Sequence, residues 1–333
     1  MRVLRFLFGR LVGLISVLLA MTLIVFALQS LVPNDPARAM AGPNASRETV
    51  DRLRERLGLD DPVPTQYVRY LGGLLTGDLG TSVRTRNPIA EDLARYAPAS
   101  IELMIAALFI GTTAGAGVGL ARGQGGAGRL LRLVLLVLGS APIFLTGLLL
   151  AFAFWFRLDW LPGAGRMSLR GVDPGPTGLW VVDGALAGRW DVTANALAHL
   201  ALPAATLAIP IAVAVARTLQ SALHAEMTRT YVRTARAKGL GEGRILMRHV
   251  LRNALPAPLT MVGLQVGLLF ANILVVERIF AWPGLGLYAT QSFDSSDLPA
   301  VLGVALVLGI VYIAVNTVID LILGWSDPRV GLG

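Results

Sequence analysis

Long apolar runs alternate with polar segments along the chain, and the apolar runs are long enough to cross a bilayer. A membrane-spanning α-helix needs roughly 20 predominantly apolar residues. Runs of about this length cover residues 9–31, 98–121, about 131–156, about 199–219, 259–280 and about 300–323. The pattern predicts an all-α membrane protein with six transmembrane helices.

The polar segments between the runs differ in charge, which predicts the side of the membrane that each one faces. Short segments rich in Arg and Lys are retained on the cytoplasmic side. Residues 32–96 carry nine Arg and nine Asp or Glu, and residues 157–198 carry four Arg and four Asp, so both are predicted to be extracytoplasmic. The N-terminus and the segment after the second run are predicted to be cytoplasmic from their unbalanced arginines, Arg2, Arg5, Arg10, Arg122, Arg129 and Arg132. Six spans then place the C-terminus in the cytoplasm as well.

The first apolar run has two interpretations. Ala37-Arg38-Ala39 and Ala39-Met40-Ala41 resemble the small-residue cleavage sites of secretory signal peptides. However, the run exceeds the roughly 7–15 apolar residues of a signal peptide. It is therefore predicted to be an uncleaved transmembrane helix.

Several local features are predicted around the first three runs. Residues 48–57 are predicted to form a short helix, with Ser46 as its N-cap and Gly58 as its stop. Glu102 lies near the outer end of the second run, where water or a helix N-terminus can accommodate it, and Pro142 predicts a kink inside the third run. Small residues in the second run predict close helix contacts. They are Gly111, Gly115, Gly117 and Gly119.

Polar residues also occur in or near the later runs. Buried polar residues in a membrane usually face a bundle interior or an aqueous path. Gln265 and Asn272 are therefore interpreted in one of two ways: their side chains hydrogen-bond between helices, or they line a substrate path. His199, Glu277 and Arg278 lie toward the outer ends and are expected in the membrane interface.

The segment 217–252 is the most strongly biased polar segment of the C-terminal half. It contains eight Arg or Lys residues against Glu226 and Glu242, and apolar runs flank it on both sides, so it is predicted to be cytoplasmic. Its pattern is helical to Lys238, then broken at Gly239-Leu240-Gly241, then helical again from Glu242 toward Pro256. Such a loop is predicted to be a docking surface held against the membrane.

Composition excludes several classes of function. Only 15% of residues are charged, against about a quarter in an ordinary soluble domain, and mean hydropathy is +0.64. The net charge of +8 lies in the predicted cytoplasmic segments, so it is interpreted as a topology signal and not as nucleic-acid binding. The chain has no Cys, three scattered His, and a single Lys that is not part of a GxxxxGK[ST] nucleotide-binding motif. The chain therefore has no nucleotide-hydrolysis motif of this type, and if it moves a substrate uphill, the energy must come from another polypeptide or from an ion gradient.

The segment YVRTARAKGLGEGRILMRHVLRNALP resembles the cytoplasmic coupling loop of ABC-importer permeases in the dipeptide, oligopeptide and nickel group. Ala235 and Gly239 stand at the last Ala and the Gly of the motif that begins Glu-Ala-Ala in the wider class. Arg233 and Thr234 replace the Glu and the first Ala, which makes this segment similar to the peptide-permease subgroup. Further segments resemble the same family, namely Gly58-Leu59-Asp60, Gln66-Tyr67, Gly77-Asp78-Leu79-Gly80, residues 277–287 and residues 320–330.

This resemblance implies a type I ABC importer permease fold, a non-catalytic subunit, and the bacterial inner membrane. It implies a second homologous permease subunit (a heterodimer, with a homodimer as the alternative), two ATPase subunits that bind ATP and Mg, and an extracytoplasmic substrate-binding protein. No cofactor, metal or nucleic acid is expected on this chain. The implied ATPase-coupling residues are Tyr231, Arg233, Thr234, Ala235, Lys238, Gly239 and Leu240.

The implied domains are residues 1–31 as the first transmembrane helix and residues 32–96 as an extracytoplasmic region with short helices. Residues 97–326 form the permease core, with five transmembrane helices and a coupling loop at about 217–256, and residues 327–333 form a tail. Short peptides are the first expectation for substrate, with nickel or metal chelates second. A self-contained secondary transporter is the alternative from another class; it usually needs ionisable residues near mid-membrane, whereas Glu102, Glu277, Arg278 and Asp320 lie toward the ends of the runs.

Overall fold

A computed structural model of the protein describes residues 2–31, 36–42, 45–121, 133–134, 136–173, 175–295 and 297–326. Within these residues the regular elements are helices, and the only extended pairing is an isolated bridge between Thr81 and Pro88. The predicted cytoplasmic arginines of residues 122–132 and the tail 327–333 lie outside the described residues. The chain divides into two compact units, one drawn from Met1–Phe6, Ile101–Trp282 and Ala314–Gly333, the other from Leu7–Ser100 and Pro283–Ile313.

The helices are numbered here in chain order. They are α1 (Arg2–Leu31), α2 (Pro36–Ala41), α3 (Arg47–Leu57), α4 (Val63–Leu75), α5 (Ile89–Leu120), α6 (Ile143–Leu150), α7 (Trp180–Leu186), α8 (Trp190–Met227), α9 (Thr230–Ala237), α10 (Glu242–Ile245), α11 (Leu251–Ala254), α12 (Pro256–Ile279), α13 (Leu285–Asp294) and α14 (Leu298–Ser326). Two π-helical segments, Ala151–Arg157 and Leu246–Val250, follow α6 and α10 directly.

Four helices of the described chain are long and apolar enough to cross a membrane: α5, α8, α12 and the part of α14 at Leu298–Ile319. Shorter apolar stretches occur at Leu11–Ile24 in α1 and at Ile143–Arg157. The helical membrane class is therefore confirmed, while the number of six spans stays a prediction. Helix α8 is much longer than the predicted run 199–219, because polar turns extend it at both ends.

The third apolar run differs from its prediction at Pro142. This residue was expected inside a kinked helix, but the helical residues before it end at Ser140 and α6 begins at Ile143. Pro142 has extended backbone angles (φ −55°, ψ 140°) and serves as the N-cap of α6. Proline disfavours helical geometry in the residue before it, so the chain breaks here instead of bending.

Two predicted loops contain helices of their own. The segment 281–299, between the fifth and sixth apolar runs, holds the ten-residue helix α13. The segment 157–198, which is predicted to be extracytoplasmic, holds α7 and the first turns of α8. The short helix predicted at 48–57 is confirmed as α3, where the Ser46 hydroxyl accepts a hydrogen bond from the Thr49 amide (3.2 Å) and Gly58 adopts a left-handed conformation (φ 62°).

Helix α8 is the central helix of the first unit, and most of its residues from Leu200 to Leu219 are buried. Helix α5 lies so close to it that a Cβ added at Gly111 or Gly115 would come within 3 Å of a carbonyl oxygen of α8, that of Ala208 or Ala212. Gly119 meets Leu219 in the same way, whereas nothing lies within 4 Å of a Cβ at Gly117. The predicted close approach is confirmed for three of the four glycines.

Two buried aspartates tie together the second unit. The Asp297 carboxylate accepts hydrogen bonds from the Ser82 hydroxyl (2.5 Å) and the Arg84 amide (3.1 Å). The Asp92 carboxylate accepts one from the Tyr288 hydroxyl (2.9 Å). The bonds of Asp297 connect the segment before α5 with the start of α14, and the bond of Asp92 connects α5 itself with α13.

Candidate functional site

The predicted coupling helix, α9, packs against α8, the helix that precedes it in the chain. Val232 and Ala235 are buried on one side of α9 and pack in a cluster with Leu219 and Leu223 of α8. The elements after α9 complete this cluster through Ile245, Val250 and Ala254. The apolar positions of α9 are three residues apart and therefore lie on one face of the helix, which fixes that face inward.

The structure separates the seven predicted coupling residues into two groups. The side chains of Tyr231, Ala235 and Leu240 are buried or half-buried and contact the cluster. The remaining four residues are exposed, namely Arg233, Thr234, Lys238 and Gly239. Only this second group is accessible to another protein, so the first group positions the helix.

Tyr231 connects α9 to the helices before and after it. Its hydroxyl donates a hydrogen bond to Glu226 Oε2 (2.8 Å) and accepts one from Asn253 Nδ2 (3.3 Å). Burial raises the pKa of the Tyr231 hydroxyl above its ordinary value, and the carboxylate of Glu226 raises that pKa further. The phenol is therefore protonated at neutral pH and remains a hydrogen-bond donor.

The turn after α9 needs a glycine at one position. Gly239 has a left-handed φ of 77°, its amide bonds the Arg236 carbonyl (2.9 Å), and the Leu240 amide bonds the Ala235 carbonyl (3.2 Å). These two bonds define a Schellman motif, in which glycine is preferred because a side chain strains the left-handed conformation. Gly241 has φ −68° and ψ 147°, which any residue adopts, so the predicted role of the Gly-Leu-Gly break rests on Gly239 alone.

An ion pair across this turn was not predicted from the sequence. Arg236 Nε lies 2.5 Å from Glu242 Oε1, and Arg236 Nη2 lies 3.1 Å from Glu242 Oε2. The bond to Glu242 raises the pKa of Arg236, so the guanidinium stays charged at neutral pH. The signal available in the sequence was one acid placed just after the glycine turn, opposite a basic last helical turn.

A second polar cluster lies at the other end of the same unit. The buried guanidinium of Arg166 pairs with the buried carboxylate of Glu102, lies over the Trp282 ring (5.5 Å to the centroid) and donates to the Gly178 carbonyl (3.0 Å). Glu102 also accepts from the Val181 amide (2.9 Å) in the first turn of α7, so a helix N-terminus accommodates it as expected. This cluster fastens the segment before α8 onto α5.

Two residues expected in the membrane interface are buried within the protein. His199 is buried, and its ring nitrogens are bonded to Ser168 Oγ and the Asn195 carbonyl, both at 2.9 Å. Glu277 is completely buried, whereas Arg278 beside it is exposed. Neighbouring residues on a helix point in different directions, so these two cannot share one environment.

The two candidate path residues lie on α12 in different surroundings. Gln265 is buried and approaches Met261 Sδ (3.9 Å), whereas Asn272 is half-buried. The residues that the structure describes contain no group of three or more His, Cys, Asp or Glu side chains able to hold a metal ion. The sequence-predicted site residues thus lie in two separate places, the loop around α9 and helix α12.

Apolar helices of this length define an integral membrane protein of the helical class. Residues 107–332 match the family described as binding-protein-dependent transport system inner membrane component, and residues 3–100 match the N-terminal region of such membrane components. The chain therefore belongs to the family of binding-protein-dependent transport system inner membrane components. It is a non-catalytic permease of the inner membrane.

Curated relatives align along nearly the full chain. A probable D,D-dipeptide transport system permease of Escherichia coli strain K12 is 39% identical over 326 residues, covering 96% of each chain. A dipeptide transport system permease of Alkalihalophilus pseudofirmus is 39% identical over 326 residues, covering 96% of this chain and 97% of its own. A glutathione transport system permease of Salmonella paratyphi A is 35% identical over 332 residues, covering 98% and 99%.

Proposed function

We propose that this chain is the permease subunit of an ATP-driven importer and forms part of the translocation path for short peptides. The observation that carries the proposal is its similarity, over nearly its whole length, to permeases named for dipeptide and glutathione transport. The residues that the structure describes are helical and apolar, as a translocation path through a membrane requires.

The loop around α9 is the proposed contact for a separate ATPase subunit. In this role Arg233, Thr234 and Lys238 face the ATPase, because they are exposed on α9 and at its end. Tyr231, Ala235 and Leu240 hold the helix against its own unit, and Gly239 sets the angle at which the chain leaves it. Closure of the ATPase subunits then moves the helices that α9 packs against and switches access from one side of the membrane to the other.

The proposed topology has six transmembrane helices with both termini in the cytoplasm. Balanced charge in residues 32–96 and 157–198, and excess positive charge in residues 217–252, support it. The proposed domains are residues 1–31, the extracytoplasmic region 32–96, the permease core 97–326 and the tail 327–333.

The proposed assembly contains a second homologous permease subunit, two ATPase subunits that bind ATP and Mg, and an extracytoplasmic substrate-binding protein. A binding protein follows from the family description, because these systems depend on one. Asn272 and Gln265 are proposed to lie along the path; Asn272 is the stronger candidate, since its side chain is half-buried while Gln265 is almost fully enclosed.

A coupling variant tests the proposal. Gly239→Asp strains a left-handed turn without creating a clash, because nothing lies within 4 Å of an added Cβ. We expect the wild-type chain to co-purify with its ATPase subunits and to support ATP-dependent dipeptide uptake in membrane vesicles. The variant should insert normally but lose most of that uptake.

Gly117→Ala serves as the matched control, since it also adds a side chain where there is room. Uptake by this control should equal that of the wild type. Undiminished uptake by Gly239→Asp, or a wild-type chain that never co-purifies with an ATPase, would contradict the proposal.

A further inference from the structure

The charges on the coupling loop are not balanced once its internal ion pairs are counted. Glu226 accepts the Tyr231 hydroxyl and lies 3.5 Å from Arg229 Nε, and Glu242 is bonded to both Arg236 nitrogens. Both acids of the loop therefore have positive partners within it.

Six other cations of the segment 217–252 are exposed: Arg217, Arg233, Lys238, Arg244, Arg248 and Arg252. We call the three that lie on α9, at its end and just after its turn the basic face, namely Arg233, Lys238 and Arg244. Across the described part of the chain, no carboxylate oxygen lies within 4.0 Å of their charged nitrogens. The face thus carries three positive charges with no negative charge of its own to oppose them.

Topology alone explains the presence of these cations but not which of them are paired. Any Arg or Lys near the end of a span serves to retain a loop in the cytoplasm. Arg229 and Arg236 serve that purpose while bonded to acids of the same loop, whereas the basic face leaves its cations exposed beside the outward side of α9. Exposed cations without a carboxylate partner in their own chain are stabilised by an opposing surface that carries acids.

The packing of α9 leaves these cations on its accessible side. Val232 and Ala235 attach α9 to Leu219 and Leu223 of α8. Arg233 and Lys238 are exposed, so a soluble protein can reach both side chains.

We propose that the ATPase surface receiving α9 is acidic, with carboxylates facing Arg233 and Lys238. This inference rests on the proposed function and specifies the chemistry of the partner at the same loop. Charge pairing across the contact then selects the correct ATPase subunit and speeds its association, and salt weakens it.

The test uses the complete importer in detergent, with the ATPase subunit that co-purifies with the wild-type chain as the probe. The variant Arg233→Gln with Lys238→Gln removes two exposed charges and buries nothing new. We expect its apparent affinity for the ATPase to fall about tenfold or more at low salt, and to depend less on NaCl concentration than that of the wild type. The control is Arg47→Gln with Arg56→Gln, which removes two exposed charges from α3 and should leave affinity unchanged.

Two further measurements separate the possible failures. Because the chain has no Cys, a single Thr234→Cys carries a unique cross-linker on the exposed side of α9. One possible outcome is that Thr234→Cys cross-links to the ATPase while the affinity changes neither with salt nor in the double variant. This outcome would overturn the acidic surface but leave the proposed function standing. No cross-linking to the ATPase under any condition would overturn both. An effect of the double variant seen only in phosphatidylglycerol vesicles, and absent in detergent and in phosphatidylcholine vesicles, would assign the face to lipid and overturn the inference.

Discussion

At the scale of single residues, the buried pair of Glu102 and Arg166 is the feature whose substitution is expected to destabilise the protein most. Each side chain is more than 90% buried, and each has further hydrogen bonds to the backbone of the segment before α8. Removing one partner of a buried pair leaves an uncompensated charge in a low-dielectric interior. The pair therefore determines whether the segment around α7 remains attached to α5.

We expect Glu102→Gln to lower the free energy of unfolding by about 3–5 kcal/mol, because Arg166 then loses its counter-charge inside the protein. The measurement is thermal unfolding of the purified chain in detergent. Arg189→Gln is the control, since its pair with Asp191 is exposed on the same segment and is worth about 0–1 kcal/mol.

A melting temperature of Glu102→Gln equal to that of the control would show that the buried pair contributes nothing. Sequence reasoning recognised that Glu102 needed a partner but did not identify Arg166. The two residues are 64 positions apart, and no local pattern connects positions at that separation.

At the scale of elements, the close contact between α5 and α8 depends on glycines, which have no side chain to keep the two helices apart. A Cβ at Gly115 would lie 2.7 Å from the Ala212 carbonyl oxygen, and backbone atoms cannot turn aside as a flexible side chain can. Gly117 is on the same helix but has open space around it. The two positions form a matched pair for the same substitution.

We expect Gly115→Ala to destabilise the protein by about 1–3 kcal/mol, because the helices must separate to admit the methyl group. Gly117→Ala should be neutral or stabilising by up to about 1 kcal/mol, since alanine restricts the unfolded chain more than glycine does. Thermal unfolding of both variants under identical conditions measures the difference. Equal stability of the two variants would mean that the close approach has no energetic role.

Elements were predicted correctly where the residues that determine them lie close together in the sequence. The helix–turn–helix pattern around Gly239 was predicted correctly, because Val232, Ala235 and the glycine lie within eight residues of one another. The break at Pro142 was misjudged as a kink, since proline allows both outcomes and packing decides between them. Helix α13 was not predicted because it has only ten residues, too few to form a membrane-length apolar run.

At the scale of the whole molecule, the proposed topology determines which segments a reagent can reach from each side of the membrane. The absence of Cys lets single introduced thiols report their own location. Ala225 is exposed near the end of α8, and Thr76 is exposed just after α4.

We expect a membrane-impermeant maleimide applied to intact spheroplasts to label Thr76→Cys but not Ala225→Cys. Inverted vesicles should give the reverse result, because residues 217–252 are proposed to be cytoplasmic and residues 32–96 extracytoplasmic. Labelling of Ala225→Cys in intact spheroplasts would refute the topology and, with it, contact of α9 with an ATPase.

The membrane class and the family were predictable from the whole sequence, because hydropathy and ordered motifs are distributed over all of it. The chemistry that holds each unit together was not, since the bonds of Asp297 and Asp92 join segments far apart in the chain. The buried side of α9 was available from the three-residue spacing of Val232 and Ala235, but the comparison with the family motif did not use that spacing.

The attachment of α9 by Val232 and Ala235 has a consequence for how the transporter assembles. A docking helix that is already folded incurs no further ordering cost when it meets its partner, whereas a disordered segment would lose about 1–2 kcal/mol of backbone entropy for each residue fixed. In the proposed assembly, association then resembles two rigid bodies fitting together, and the ATPase subunit can detach and rebind without refolding of the proposed docking site.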